Sequence, residues 1–207
     1  LVEGAVQVGA RDLVDAELDV PVQGVIVASP ANPTGTVLPA AELAAIAAWC
    51  DAEGVRLISD EVYHGLVYPG APETSCAWQT SRNAVVTNSF SKYFAMTGWR
   101  LGWVVMPPQL RPALERLAQN LYICASAVAQ HAALTCFEPE SLAIYEAQRA
   151  EFRRRRDFLV PALEELGFGV PVHPDGAFYV YADISRFGDD NDRFVESVLQ
   201  STGVCMV

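Results

Sequence analysis

The chain has 207 residues, 51% of them hydrophobic, and a formal net charge of −11 at pH 7. This length and apolar content predict one large or two small folded domains and exclude a disordered chain. The acidic balance argues against sequence-independent binding of nucleic acid or of an anionic membrane. No apolar run reaches about 18 residues, and the start of the chain lacks a basic and an apolar region, so neither a transmembrane helix nor a signal peptide is predicted.

The first part of the chain alternates short β-branched runs with a helical segment. A strand is indicated at Ala5–Val8, followed by an acidic segment at Asp12–Asp19. Apolar runs then predict four strands, at Gly24–Ala28, Val55–Ser59, Ala84–Asn88 and Leu101–Val105. Between the first two of these, Pro39 begins a helix and Gly54 ends it. The apolar face of this helix comprises Leu43, Ile46, Ala47 and Cys50.

A strand, a helix and a strand within about 35 residues form a βαβ unit, which predicts a parallel sheet with a right-handed crossover. Ligands on such sheets bind at the carboxyl ends of the strands. The loops at those ends begin at Ser29, Ser59 and Asn88, and they hold the unusual residues of the chain. We therefore expect these loops to share one site.

Beyond residue 108 the pattern becomes helical. Helices are predicted at Gln109–Asn120, Ile123–Phe137, Pro139–Leu166 and Asp190–Thr202, the third ended by Gly167. Strands are predicted at Phe168–Val172 and Ala177–Ala182, and another starts at Gly203. We place a domain change near Phe137–Pro139. It assigns residues 1–137 to part of a large domain and residues 138–207 to part of a smaller one.

The third of these helices contains four consecutive arginines, Arg153 to Arg156. They suggest either an anion-binding patch or a solvated or subunit-facing surface. The spacing of Glu151 with Arg155, and of Arg153 with Asp157, allows ion pairs one helical turn apart. Because these pairs satisfy the charges within the helix, we favour the surface interpretation.

The cysteines and histidines give no sign of a metal site. The five cysteines are widely spaced and contain no C-x-x-C pair, which favours reduced thiols in a cytoplasmic protein. These cysteines are Cys50, Cys76, Cys124, Cys136 and Cys205. His64, His131 and His173 lie far apart and form neither an H-x-x-x-H nor an H-E-x-x-H motif.

Lys92 is the only lysine among the 14 basic residues. Arginine serves most surface roles of lysine, but its guanidinium stays protonated and cannot act as an amine nucleophile. The surviving lysine is therefore a candidate for amine chemistry such as a Schiff base. The alternative is a leftover surface residue.

Three motifs at the strand ends resemble those of the fold type I, class I/II pyridoxal-phosphate (PLP) aminotransferases. They are Asn32-Pro33-Thr34-Gly35, Ser59-Asp60-Glu61-Val62-Tyr63, and Ser89-Phe90-Ser91-Lys92 continuing to Gly98-Trp99-Arg100. Their order and positions make the resemblance specific, and it runs from about Gly24 to the last residue. It implies an α/β fold with a mainly parallel sheet and flanking helices, plus a smaller α+β carboxyl-terminal domain, both incomplete here.

The resemblance implies a role for each matched residue. Lys92 would form the Schiff base with PLP and, once freed, move the substrate proton. Asp60 would pair with the pyridine nitrogen, whose protonation makes the ring an electron sink. Tyr63 and Asn32 would donate hydrogen bonds to the phenolic oxygen of PLP. The simpler alternatives are a turn acid at Asp60, a packed ring at Tyr63 and a plain turn at Asn32-Pro33.

The resemblance assigns phosphate binding to Ser89, Ser91 and Arg100, since two hydroxyls and a guanidinium supply donors and charge for a dianion. It places Gly176-Ala177-Phe178-Tyr179 on the substrate side of the pocket, although plain strand packing is the favoured interpretation for Phe178. His64 receives no role. A cis peptide at Asn32-Pro33 is a further hypothesis.

Several features of the family are absent from this sequence. Family members are roughly twice as long and carry, upstream, a phosphate-binding loop and an aromatic that stacks on the PLP ring. Downstream they carry an arginine for the substrate carboxylate. We therefore expect an internal fragment of a homodimeric protein, closest to the aspartate, aromatic and alanine aminotransferase branch. The activity of the fragment alone is open.

The function implied is amino-group transfer between an α-amino acid and a 2-oxo acid. Two alternatives remain at this point. A carbon–sulfur lyase of the same fold would share Lys92, Asp60 and Tyr63. An aminotransferase-like effector domain of a transcription regulator would need a DNA-binding region that this sequence does not contain.

Overall fold

The structure, a computed structural model, describes residues 22–207. The strand at Ala5–Val8 and the acidic segment at Asp12–Asp19 therefore lie outside the described residues. Four strands form one sheet: β1 (Gly24–Ala28), β2 (Arg56–Asp60), β3 (Val85–Ser89) and β4 (Gly102–Val105). The helices are α1 (Ala40–Glu53), α2 (Ala77–Thr80), α3 (Arg111–Leu121), α4 (Ala127–Leu134), α5 (Pro139–Leu166) and α6 (Asn191–Thr202).

The sheet is mainly parallel, as predicted. Its strand order is β1-β2-β3-β4, and β1 pairs with β2, and β2 with β3, in parallel. Strand β4 is antiparallel to β3, with Ser89 opposite Gly102. The chain returns from β3 to β4 through a loop without a crossover helix, and such a connection gives an antiparallel neighbour. A side chain at Gly102 would meet the Asn88 carbonyl oxygen at 2.6 Å, so the close pairing requires glycine.

The main core lies between the sheet and α1. The predicted apolar face of α1 is confirmed, because Leu43, Ile46, Ala47 and Cys50 are all buried. Burial of each large aliphatic side chain stabilises the fold by about 1.5–3 kcal/mol. Gly54 ends the helix in the left-handed conformation, with a φ of 67°. Strand residues Val27, Leu57 and Val86 complete this core.

Helix α5 has the predicted bounds, Pro139–Leu166. Proline at the first helical position costs no hydrogen bond, and Gly167 ends the helix with a φ of 96°. The predicted surface ion pairs are present: Glu151 bonds Arg155 at 2.9 Å, and Arg153 lies 3.5 Å from Asp157. The predicted domain change falls just before α5, and the division at residue 137 remains a prediction.

Arg156, the last of the four consecutive arginines, departs from the surface interpretation. Its side chain is only 12% exposed and donates to the Pro174 carbonyl oxygen at 2.8 Å. Its guanidinium carbon also lies 4.6 Å from the centroid of the Tyr68 ring. Arg156 thus joins α5 to the segment before Gly176.

The strands predicted at Phe168–Val172, Ala177–Ala182 and from Gly203 are wrong. In this part of the described chain the backbone forms only isolated antiparallel bridges, Gly169 with Asp183 and Val67 with Gly176. A β-strand requires a continuous paired neighbour. Within residues 22–207, Phe168–Val172 holds one bridge residue, Ala177–Ala182 lies between the bridge residues Gly176 and Asp183, and the segment from Gly203 forms no bridge. The helix predicted at Gln109–Asn120 begins later, because a 3₁₀ turn occupies Pro108–Leu110. The helix predicted at Ile123–Phe137 is shorter at both ends: it begins after Ser126, whose side chain caps it, and a 3₁₀ turn follows at Thr135–Phe137.

Across residues 22–207, no helix is both long enough and apolar enough to cross a bilayer.

Candidate functional site

The sheet brings the ends of three strands to one level. Ala28 of β1 lies opposite Asp60 of β2, and Asp60 lies opposite Thr87 of β3. The loops that follow begin at the same edge, as the parallel order requires. Ser29 donates its amide to the Asp60 carbonyl oxygen at 3.0 Å, and Glu61 donates its amide to Thr87 at 2.9 Å. The three predicted loops therefore do meet.

Lys92 lies in the loop between β3 and β4, and this loop is held by its own hydrogen bonds. The Met96 amide donates to the Phe90 carbonyl oxygen at 3.0 Å, and the Thr97 hydroxyl donates to the Ser91 carbonyl oxygen at 2.6 Å. The Lys92 side chain is half-buried. The local bonds fix the backbone from which its amine reaches into the site.

The Lys92 amine lies against two aromatic rings. Its Nζ atom is 5.3 Å from the ring centroid of Tyr63 and 5.5 Å from that of Phe178. Such rings attract a cation through their negative faces. The leftover-surface interpretation of Lys92 is inconsistent with this position.

Asp60 and Tyr63 follow β2 on one tight turn. The Asp60 carboxylate accepts the Val62 amide at 3.1 Å, which leaves its other oxygen free of that bond. Tyr63 is 6% exposed, and its hydroxyl oxygen lies 2.6 Å from that of Tyr179. Burial raises the pKa of Tyr63, the hydrogen bond with Tyr179 lowers it, and the Asp60 charge raises it again.

The residues predicted to bind the phosphate are only partly brought together in the structure. The Ser89 hydroxyl oxygen accepts the Ser91 amide at 2.9 Å, so the two serines are neighbours. The Arg100 guanidinium donates to the Thr97 carbonyl oxygen at 3.0 Å. Arg100 lines a cavity of about 980 Å³ on the α4 side of the loop. Within residues 22–207 the structure shows no hydrogen bond from Arg100 to either serine.

Asn32 lies in a compact turn after β1. Its peptide bond to Pro33 is cis, which confirms that hypothesis, and the Ser29–Pro30 bond is cis as well. The side chain of Asn32 is exposed, and no hydrogen bond joins it to another residue in the part of the chain described. The turn itself is fixed to the segment before Phe178, because the Gly35 carbonyl oxygen accepts the Gly176 amide at 2.9 Å.

The segment Gly176–Tyr179 crosses the open side of this site. The Ala177 amide donates to the Leu66 carbonyl oxygen at 2.8 Å, and the Tyr68 hydroxyl donates to the Ala177 carbonyl oxygen. Phe178 is 41% exposed, and its ring lies edge-on to Tyr63 with centroids 5.6 Å apart. Phe178 therefore packs on the site rather than within a strand.

Glu61 contributes to the candidate site, although no role was predicted for it from the sequence. It is 2% exposed, and its carboxylate accepts the Ser59 hydroxyl at 3.1 Å and the Ala77 amide at 2.8 Å. His64 Nδ1 lies 3.2 Å from the second carboxylate oxygen. The signal in the sequence was a second acid directly after the strand-end acid Asp60. Glu61 holds the turn that presents Asp60 and Tyr63.

Tyr179 is the second residue whose contact was missed. The signal was its place in the Gly176–Tyr179 motif, but its partner Tyr63 is 116 positions away.

Among residues 22–207, no group of three or more histidine, cysteine or acidic side chains is arranged to hold a metal ion. All five cysteine thiols are free.

The chain matches known proteins over nearly its whole length. The family profile "Aminotransferase class I and II" matches residues 8–207. The chain is 58% identical, over 191 residues, to the valine–pyruvate aminotransferase of Mycobacterium tuberculosis, covering 92% of this chain and 49% of that protein. It is 39% identical, over 181 residues, to the arginine–pyruvate transaminase of Pseudomonas aeruginosa, covering 86% of this chain and 46% of that protein.

A solved structure shows the same fold. The crystal structure of an aminotransferase from Mycobacterium tuberculosis superposes with a TM-score of 0.88 at 58% identity. The match covers 91% of this chain and 49% of that one. The chain thus spans about half the length of the relatives it matches.

Proposed function

The chain belongs to the class I and II aminotransferase family, whose members depend on PLP, and on that premise we propose that the protein containing it moves an amino group between an α-amino acid and a 2-oxo acid. The position of Lys92 is the strongest support for this proposal. The only lysine of the chain is held half-buried, with its amine against the rings of Tyr63 and Phe178 at the carboxyl edge of the sheet.

The residues present fit PLP. The aldehyde of PLP needs an amine, which Lys92 supplies in a sheltered position. The pyridine nitrogen needs a carboxylate, and Asp60 has one oxygen not used by the Val62 amide. The phosphate needs hydrogen-bond donors and positive charge, which Ser89, Ser91 and Arg100 supply.

Each of these side chains has a distinct task in the proposed reaction. Bound PLP would supply an electron sink for the substrate carbon that loses its proton. Lys92 would hold the cofactor through its amine and, when free, carry the proton at Nζ. Asp60 would keep the ring nitrogen protonated. Tyr63 and Asn32 would donate hydrogen bonds to the phenolic oxygen of the cofactor.

Catalysis of this kind requires exclusion of water around the transferred proton. Phe178 and Tyr179 cover Lys92 and Tyr63 from the segment that the Leu66 carbonyl oxygen holds in place. These two rings supply an apolar wall on the side where a substrate side chain would lie. We propose that they belong to the substrate pocket.

The relatives guide the choice of substrates. We propose pyruvate as the amino acceptor and L-valine as the first donor to test, because the relative with 58% identity is named for that pair. Both relatives reported above are named as aminotransferases, which also supports transfer over the lyase and regulator alternatives.

We further propose that the protein is a homodimer. Leu121 and Ile123, next to the Arg100 cavity, are 76% and 78% exposed. Tyr122 and Val128 line that cavity together with Arg100. Apolar groups exposed in such a cluster mark an interaction surface. A second subunit placed there would close the phosphate end of the site.

The five free thiols support a cytoplasmic location.

The test is a transfer assay on the complete protein. With PLP present, L-valine and pyruvate are expected to give L-alanine and the corresponding 2-oxo acid. Lys92→Arg keeps the charge but lacks a usable amine, and it should abolish the reaction. Arg82→Lys, an exposed control, should leave the rate unchanged. Alanine formation that persists in Lys92→Arg would contradict the proposal, as would the absence of transfer with any amino acid.

A further inference from the structure

Tyr63 and Tyr179 form a hydroxyl pair inside the proposed site. Their hydroxyl oxygens lie 2.6 Å apart, and their rings meet edge to face with centroids 5.7 Å apart. Tyr63 is 6% exposed, so little water competes for its hydroxyl. A pair at this distance shares one hydrogen bond, and one of the two protons lies between the oxygens.

The direction of that bond decides what Tyr63 can do. A tyrosine hydroxyl has one proton to donate and two lone pairs to accept. If Tyr63 donated to Tyr179, it would have no proton left for a ligand near Lys92. If Tyr179 donates instead, the Tyr63 proton remains available to the pocket.

The proposed function fixes this direction in the loaded protein. Tyr63 would there donate its one proton to the phenolic oxygen of PLP, so the bond of 2.6 Å between the two hydroxyls can run only from Tyr179 to Tyr63. Burial raises the pKa of both tyrosines, and the bond between them raises the pKa of Tyr179 and lowers that of Tyr63.

The backbone holds Tyr179 at this position. The Gly176 amide donates to the Gly35 carbonyl oxygen, and the Ala177 amide donates to the Leu66 carbonyl oxygen. A side chain at position 176 would meet the Leu66 carbonyl oxygen at 2.4 Å, so the segment can lie this close only with glycine there. The backbone that leads to Tyr179 is thus bonded to the loop that carries Tyr63, through the Leu66 carbonyl oxygen.

We propose that Tyr179 is a positioning residue that donates its hydroxyl proton to Tyr63 and so leaves the Tyr63 proton directed into the Lys92 pocket. This inference rests on the proposed function for its consequence, which is a stronger hydrogen bond from Tyr63 to the phenolic oxygen of PLP. It also gives the Gly176–Tyr179 segment a part in tuning the cofactor, in addition to covering it.

The first experiment needs no cofactor. Tyrosines of the complete protein are labelled with ¹³C at the ring carbon that bears the hydroxyl, and the Tyr63 signal is assigned by its loss in Tyr63→Phe. Tyr179→Phe should move the Tyr63 titration to higher pH, because the donated bond that lowers its pKa is gone. Tyr181→Phe, two residues further on and 53% exposed, should leave it unchanged. A Tyr63 titration that is the same in Tyr179→Phe and wild type would overturn the proposal.

A second measurement covers the case in which Tyr179→Phe disturbs the segment. Protection of the Ala177 amide in hydrogen exchange reports whether the segment is still bonded to the Leu66 carbonyl oxygen. With that protection unchanged, a Tyr63 titration that does not move in Tyr179→Phe would show that Tyr179 does not donate to Tyr63.

The second experiment uses the protein loaded with PLP and follows its visible absorbance with pH. Tyr63→Phe removes the donor to the phenolic oxygen, so that oxygen keeps its proton more strongly. The midpoint of the absorbance change should therefore move to higher pH. Tyr179→Phe should raise it by a smaller amount, and the double variant should match Tyr63→Phe. If the midpoint shifts of the two single variants added up in the double variant, Tyr179 would act independently of Tyr63, which would contradict the proposal. If wild type fails to retain PLP, the proposed function fails, while the tyrosine titration still decides the direction of the bond.

Discussion

Replacement of Glu61 tests whether this buried acid holds the turn that presents Asp60 and Tyr63. In wild type the Ser59 hydroxyl and the Ala77 amide both donate to the buried Glu61 carboxylate, and Glu61→Ala leaves both without an acceptor. A buried donor left unpaired costs about 1–3 kcal/mol, so two cost about 2–6 kcal/mol. Glu61→Gln keeps an oxygen for both donors and loses mainly the contact with His64, which costs about 1 kcal/mol.

Hydrogen exchange of the cofactor-free protein measures this cost locally and needs no two-state assumption. At about 1.4 kcal/mol per factor of ten, amides of residues 61–66 should exchange at least about 30-fold faster in Glu61→Ala and about fivefold faster in Glu61→Gln. The exposed Glu73→Ala is the matched control on the same loop. Equal effects of the Ala and Gln variants, or no effect of either, would refute the assignment.

Two further predictions concern packing and thiol reactivity. Gly176→Ala should displace the segment, because its Cβ would meet the Leu66 carbonyl oxygen at 2.4 Å; loss of protection of the Ala177 amide in hydrogen exchange would report this, and unchanged protection would contradict it. Burial raises the pKa of the Cys50 thiol to about 11, whereas Cys205 is exposed. Alkylation at pH 8, read by mass spectrometry, should therefore modify Cys205 and spare Cys50 in the folded protein, and equal labelling would show that Cys50 is accessible.

The parts of the fold that follow local rules were predicted correctly. Strand β1 has the predicted bounds Gly24–Ala28, and α5 has the predicted bounds Pro139–Leu166. A β-branched run that ends at Ser29-Pro30 defines the first. Proline at the first position and glycine after the last define the second. Such signals lie within a few residues of the element they specify.

The errors concern contacts between distant parts of the chain. Apolar alternation at Ala177–Ala182 resembles a strand, but a strand needs a neighbour that pairs along its length, and here only single bridges form at the flanking residues Gly176 and Asp183. The motifs place Lys92, Asp60 and Tyr63 at one edge of the sheet, and the structure agrees. The bond between Tyr63 and Tyr179, and the burial of Glu61 under the turn, depend on tertiary packing that no local pattern encodes.

Chemical trapping shows whether Lys92 holds PLP through its amine. The complete protein is loaded with PLP, reduced with borohydride, digested and examined by mass spectrometry. Reduced cofactor is expected on the peptide that contains Lys92, and none on that peptide when incubation with an amino donor before reduction has removed the cofactor from the lysine. Cofactor trapped on another residue, or no trapped cofactor on a folded protein saturated with PLP, would show that Lys92 does not hold PLP.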